Sequence, residues 1–239
     1  MKILALNSSP RKNRGGTATI LNVFLEGAKE AGAEIDLVYV HDLKIKPCLG
    51  CFACWVKTPG VCVQQDDMKN LLVKRRNADA LVLATPVYVD GMTSTLKAVL
   101  DRSIPLVQPF FEIRDDHCRH PPLHKRDPVK VALVSVSGFT ELDNFDPLEA
   151  HIQAVCKNLN GEYAGAVLRP LGAQLPLFKQ MGIPVDDIYD AIKQAGKEFV
   201  EKEKIKPQTQ QTISREIVPR SEYVKRLNAS FQQTLDANK

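Results

Sequence analysis

Five short apolar runs, Lys2–Asn7, Ile35–Val40, Ala80–Thr85, Val129–Val136 and Ala164–Arg169, alternate along this chain with stretches of helical spacing. The helical stretches are Ala18–Ala31, Asp66–Asn77, Ser94–Arg102, Pro147–Asn158 and Val185–Glu203. Runs that are apolar at successive positions must be buried on both faces, as strands of a parallel sheet covered by helices are. Strand followed by helix, repeated, closes through right-handed crossovers into a doubly wound α/β sheet. Five strands suggest the order 2-1-3-4-5, with ligands bound beyond the carboxyl ends of the strands, where the first and third send their connections to opposite faces. A chain of 239 residues, 44% of them hydrophobic, is enough for one sizeable core. We therefore expect one domain over residues 1–205, with a cysteine-rich insert at 47–62, followed by a C-terminal arm or tail over 206–239. In that arm a polar linker precedes an amphipathic helix from Ser221 to Leu235. The segment Pro105–Pro128, rich in Pro, His, Arg and Asp, is too long for a tight connection and reads as an inserted loop, a lid or a subunit contact.

The formal net charge is only +4, and Lys and Arg are dispersed rather than blocked, which argues against nucleic acid as a partner. The apolar start is too short for a signal peptide, and no apolar run approaches the roughly 20 residues that span a bilayer. A cytoplasmic, non-membrane protein is expected. In such a reducing compartment clustered cysteines serve metals or redox chemistry more often than disulfides.

Two loops carry the binding signals. "LNSSPRKNRGGTATIL" leaves the first strand and opens the first helix, where backbone N–H groups and the helix dipole form a cup for phosphate. Ser8, Ser9, Arg11, Asn13 and Thr17 can donate hydrogen bonds there, and Gly15 and Gly16 let a ligand approach the backbone. Both the Gly-x-Gly-x-x-Gly turn and the Gly-Lys-Ser/Thr ending are missing, so a mononucleotide fits better than a dinucleotide or a hydrolysed triphosphate. A turn that merely caps a helix has the same composition. "ATPVYVDGMTSTLKAVLDR" repeats the logic after the third strand. Pro86 cannot donate a ladder hydrogen bond, so the chain is expected to leave the sheet there. Val87, Tyr88, Val89, Asp90 and Gly91 then form a loop suited to a flat, polar-edged ring on which Tyr88 could stack. A third loop, including Ser137 and Gly138, follows the fourth strand and could close the other side.

Residues 2–17 and 84–102, with "SVSG" at 135–138, resemble the NADPH-dependent FMN reductase family of flavodoxin-like proteins. The resemblance covers about residues 1–200, although Asn7 stands where the family commonly has Gly. It implies a flavodoxin-like fold and non-covalent FMN, with its phosphate on the first loop and its isoalloxazine against residues 86–91. It also implies NAD(P)H as a possible donor and a homodimer or homotetramer. No catalytic acid or base is expected, because hydride transfer to a flavin needs mainly alignment of two rings.

Cys48, Cys51, Cys54 and Cys62 follow Cys-x₂-Cys-x₂-Cys-x₇-Cys, four of the six cysteines in the chain. Three thiolates at that interval can wrap one inorganic core, with Gly50 freeing the backbone and the fourth arriving from a Pro59-Gly60 turn, which favours an iron–sulfur cubane. Structural zinc more often takes two separated knuckles, and a Cys51–Cys62 disulfide is conceivable. This motif, with Asp66-Asp67-Met68 after it, resembles the iron–sulfur flavoproteins of anaerobic microbes, a branch of the same family. The resemblance implies a [4Fe–4S] cluster near the FMN of a neighbouring subunit. Lys44, Lys46 and Lys57 are candidates to offset the cluster's charge. His117, Cys118, His120 and His124 match no established zinc spacing and are assigned to a solvated loop; Cys156 is assigned to the core and Trp55 to a partly buried position.

The function expected is an FMN-dependent oxidoreductase passing electrons between a reduced donor, a ferredoxin or NAD(P)H, and an acceptor through FMN and a cluster. Two alternatives stay open: an NAD(P)H-dependent FMN or quinone reductase without a cluster, and a non-enzymatic redox carrier or sensor.

Overall fold

In the computed structural model, which describes residues 1–238, the apolar runs are strands of one parallel sheet. They are β1 (Lys2–Asn7), β2 (Glu34–Tyr39), β3 (Ala80–Pro86), β6 (Val129–Ser137) and β7 (Gly161–Pro170), in the order β2-β1-β3-β6-β7. Counting only these strands, the order is the expected 2-1-3-4-5. Side chains alternate between the two faces, and most of the strand alanines gather on one of them. Ala5, Ala80, Ala84 and Ala132 face the layer that holds α1 (Gly16–Glu30) and α7 (Asp186–Lys202). Leu4, Leu6, Leu81, Leu83 and Leu133 face α3 (Met68–Asn77), α4 (Ser94–Asp101) and α5 (Asp146–Asn158). Small residues on the first face let α1 lie close to the sheet. α1 and α7 in turn meet backbone to backbone: a Cβ at Gly27 would sit 1.9 Å from the Lys193 carbonyl oxygen, and one at Gly196 would sit 2.0 Å from that of Phe24.

The two segments outside the minimal pattern are more ordered than their composition predicts. Within 105–128 lies a hairpin, β4 (Glu112–Arg114) with β5 (His117–Arg119), turned by Asp115 and Asp116 at φ 53° and 58°. Val107 also bridges Pro122. His120 is not free in solvent, because its ring packs 4.7 Å from Trp55 and 5.0 Å from Phe111.

Where a polar linker is expected, the chain forms α8 (Pro207–Ser214), which seals the outer edge of the sheet. The Gln210 side-chain amide accepts from the Leu168 N–H at 3.1 Å and donates to the Leu168 carbonyl at 3.2 Å. It stands in for a sixth strand, an economical way to protect an edge from pairing with another chain. Buried Arg169 donates to the carbonyls of Ile213 and Arg215, and Ile205 and Ile213 belong to the core. α9 (Arg220–Ala237) lies further out: none of its residues is buried, although Tyr223 packs against the core. Its first turns touch the loop after β6 through Tyr223 Oη to the Gly138 carbonyl, 3.5 Å, and Arg220 to Glu141, 3.1 Å. Among the described residues no helix is long and apolar enough to cross a membrane. α6 (Leu175–Gln180) and α2 (Ala53–Val56) complete the helices.

Candidate cofactor site

The loops after β1, β3 and β6 are brought together because those three strands are neighbours and all end at the same edge of the sheet. Polar side chains stitch the strand tips to one another. Ser8 donates to the Ala84 carbonyl through both its N–H, 2.8 Å, and its hydroxyl, 3.0 Å. Ser135 Oγ donates to the Thr85 carbonyl at 2.7 Å, and the Thr93 N–H donates to Thr85 Oγ1 at 3.1 Å. The first loop is tied across to the segment after β2 by an ion pair between Lys12 and Asp42.

At the first loop the helix start is open. Gly15 is the N-cap of α1 and supplies no side-chain cap, and the first turn contains no acid. The Ala18 and Thr19 N–H groups turn back to the Gly15 carbonyl at 3.0 and 3.2 Å, which leaves those of Gly16 and Thr17 for a ligand. Buried beside them are two polar atoms without a partner, Thr17 Oγ1 and Asn7 Nδ2. Buried polar groups are nearly always satisfied, so two orphans at one helix start mark a place where a ligand completes the hydrogen bonding. Gly16 has no room for a side chain, since a Cβ would lie 2.6 Å from Ala173 Cα. Ser9 is buried, whereas Arg11 and Asn13 are exposed at the rim. Ser8 alone among the first-loop candidates spends its side chain internally.

At the second loop Pro86 does not leave the sheet. It pairs in register with Val136, and Val87 N–H still reaches the Val136 carbonyl at 2.9 Å. The proline is tolerated because pairing with β1 has already ended at Asn7 opposite Ala84, so its missing donor falls on an open flank. Tyr88 and Gly91 then close a tight turn, with N–H to carbonyl bonds of 2.9 and 3.1 Å, around Val89 and Asp90 at φ 48° and 57°. Positive φ at both central residues is the type I′ pattern, and a β-branched residue there is strained. Val89 is also fully exposed at 101%, so no packing repays that strain. Val89→Asn should stabilise the protein by about 1 kcal/mol, read as a higher urea midpoint with unchanged slope. Tyr88 and Phe139 present half or more of their surface to solvent at the same edge, and Ser137 Oγ turns back to the Phe139 carbonyl at 3.1 Å. Gly138 is exposed.

The four clustered cysteines are free thiols, and Cys48, Cys51, Cys54 and Cys62 all line one shallow hollow. Two left-handed residues, Gly50 at φ 61° and Phe52 at φ 51°, fold the segment round, and α2 carries Cys54. Burial first, and the neighbouring Cys62 second, push the Cys54 thiol up, with Cys48 and Cys51 adding to the effect. Among the described residues no three His, Cys, Asp or Glu side chains converge tightly enough to hold a single ion. All four thiols line the same hollow, and their softness suits iron and sulfide. The donor set fits a cluster.

The residue behind that hollow escapes sequence reasoning. Arg102, at the end of α4, is 1% exposed and makes a two-pronged bond to Asp66, both contacts 2.9 Å. It also donates to the Lys46 carbonyl at 2.7 Å, and Asp66 accepts from the N–H groups of Lys46 and Met68. The Asp66–Arg102 pair thus clamps both ends of the cysteine segment. Burial alone would lower the Arg102 pKa, but Asp66 and the negative potential of Cys62 raise it. Burial would likewise raise Asp66, but Arg102 holds it below the usual carboxylate range. Arg102 Nε has no partner. The charge facing the thiols is this guanidinium, whereas Lys44, Lys46 and Lys57 are exposed.

The sequence pattern of NADPH-dependent FMN reductases matches residues 1–142, which is more than half of the chain. The chain belongs to the NADPH-dependent FMN reductase family. Within reach of this family member are two iron-sulfur flavoproteins. One from Archaeoglobus fulgidus is 41% identical over 103 residues, 43% of this chain and 49% of that protein. One from Methanosarcina thermophila is 37% identical over 115 residues, 48% of this chain and 59% of that protein. The chain spans about half the length of the curated relatives it matches. An FMN-dependent NADH-azoreductase from Bacillus anthracis, solved in complex with FMN, superposes with a TM-score of 0.61 at 17% identity, over 84% of this chain and 99% of that one. That likeness establishes the flavodoxin-like fold.

Proposed function

We propose that the protein is an FMN-dependent oxidoreductase that passes electrons between a reduced donor, a ferredoxin-class protein or NAD(P)H, and an acceptor, using FMN and a [4Fe–4S] cluster. The observation that carries this reading is the coexistence in one chain of an unsatisfied helix-start cup and four thiols around one hollow. Ser9, Arg11, Asn13, Gly16 and Thr17 would hold the phosphate of FMN, with Asn7 Nδ2 as a further donor. Pro86 to Gly91, Ser137 and Gly138 would flank its ring. The flavin supplies the step between hydride and single-electron chemistry, and a cluster held by the four cysteines supplies a one-electron store. The chain's own part is to hold the ring edge-open beside Tyr88, and to set positive charge from Arg102 behind the thiolates.

Within one chain the two places lie at opposite ends of α4. Thr93, beside the second loop, precedes the helix, whereas Asp101 and Arg102 wall the hollow at its end. Eight helical residues span about 12 Å. A homodimer or homotetramer in which one subunit's hollow approaches another's flavin would shorten that path. Sedimentation giving only monomer at micromolar concentration would count against that assembly.

Anaerobic purification followed by iron, sulfide and flavin analysis tests the whole reading. Brown protein with equal iron and sulfide beside FMN is expected. Yellow protein with flavin alone would leave the reductase without a cluster, and colourless protein that takes up no FMN would remove both. Thr17→Val, which deletes the orphaned hydroxyl and keeps the shape, should weaken FMN binding roughly tenfold by fluorescence titration.

A further inference from the structure

At the opposite end of the sheet from the flavin loops, beside the starts of β3, β6 and β7, lies a second, open hollow of about 320 Å³. Arg75, Arg76, Arg126 and His124 line it, and among the described residues none of its lining is acidic. We propose that this hollow is a second anion site, built for a phosphate-bearing organic ligand of about nucleotide size.

Two of the three guanidinium groups are fixed by the chain itself. Arg126 donates to the carbonyls of Arg76 and Ala78, each at 2.7 Å, capping the end of α3. Arg76 donates through Nη2 to the Gly60 carbonyl, while its buried Nε has no partner. Arg75 is different: it is partly covered and makes no hydrogen bond or ion pair among the described residues. Burial first, and the like charge of Arg126 second, lower its pKa to about 10. The negative end of α3 would account for one nearby cation, and Arg126 already occupies those carbonyls. That leaves a guanidinium withdrawn from water beside a like charge, with no carboxylate to balance either. A dianion fitted between them supplies the missing charge, and planar guanidinium donors match phosphate oxygens two at a time. Leu106, Pro122 and Leu123 form the remaining wall, so the ligand that fills the space has an apolar or flat part as well. The hollow also backs onto the cysteine segment, since Gly60 lies against both Arg76 and Leu123.

The test uses the full chain loaded with FMN and then freed of unbound FMN by gel filtration, so that the loop after β1 is filled and no free flavin competes for the hollow. AMP is the probe, with inorganic phosphate and adenosine as the two half-ligands. Calorimetry should show AMP binding at about 10 mM or below, phosphate binding more weakly and adenosine not at all. Arg75→Met should weaken AMP by about tenfold or more. AMP should also protect Arg75 from phenylglyoxal, located by peptide mass, a readout that needs no variant. Without ligand, Arg75→Met should be at least as stable as the parent, because it removes an unpaired, partly covered charge, whereas a structural arginine would lose stability. No AMP binding, equal binding by Arg75→Met, equal binding of adenosine, or unprotected Arg75 would each overturn the site.

Discussion

Cys54→Ser is expected to abolish iron and sulfide binding while leaving FMN uptake intact. Cys54 is set in the first turn of α2, and its raised thiol pKa reflects burial and the three neighbouring thiols. A serine hydroxyl is a hard, weakly acidic donor and cannot replace a thiolate on iron. Cys48 and Cys51 lie on the exposed loop, so a substitute ligand could reach them from solvent; at Cys54 it cannot as readily. Loss should therefore be complete at Cys54 and partial at Cys48, measured as iron and sulfide per flavin and as the broad visible absorbance. FMN stays because its cup lies at the far end of α4. Full iron content in Cys54→Ser would sink the assignment of this quartet as cluster ligands.

Arg102→Met should cost about 3–5 kcal/mol of stability, the usual result of removing one member of a buried ion pair. Asp66 would be left with only backbone donors, and both ends of the cysteine segment would lose their clamp. The sign of the pH dependence follows from the carboxylate. Asp66 is held below its ordinary range in the folded state, so the pair's contribution is present above about pH 4 and fades as pH falls through the depressed value. The variant should differ most from the parent at neutral pH, and the gap should narrow on acidification. Denaturant titrations at several pH values check this, and adding Asp66→Asn should recover part of the loss. A neutral-pH effect within about 0.5 kcal/mol, the range of ordinary surface changes, would show that the clamp is not structural.

The strands were readable because burial on both faces leaves near-continuous apolar runs, and the two loops proposed to hold the flavin stand out because Ser, Gly and Pro punctuate the ends of β1 and β3. The cysteine hollow was readable from spacing alone. What escaped depends on contacts far apart in the chain. Arg102 reads as an ordinary cation at a helix end, and only folding brings it to Asp66, 36 positions away. Gln210 and Arg169 look like solvated polar residues until β7 needs an edge cover. The turns at Val89-Asp90 and Asp115-Asp116 adopt left-handed backbone without the Gly or Asn that usually announces it. Their strain is imposed by the flanking pairs, which sequence does not display.

The absence of side chains at Gly27 and Gly196 reaches further than packing. Because the main chains of α1 and α7 interlock there, α1 cannot slide or tilt without dragging its partner along, and the amides at its start keep one direction whether or not anything rests on them. In the proposed site a phosphorylated guest would meet a rigid socket and spend little of its binding energy on reshaping the host. Adaptation to different ring states would fall instead to the tense hairpin at residues 88–91, whose tip is exposed.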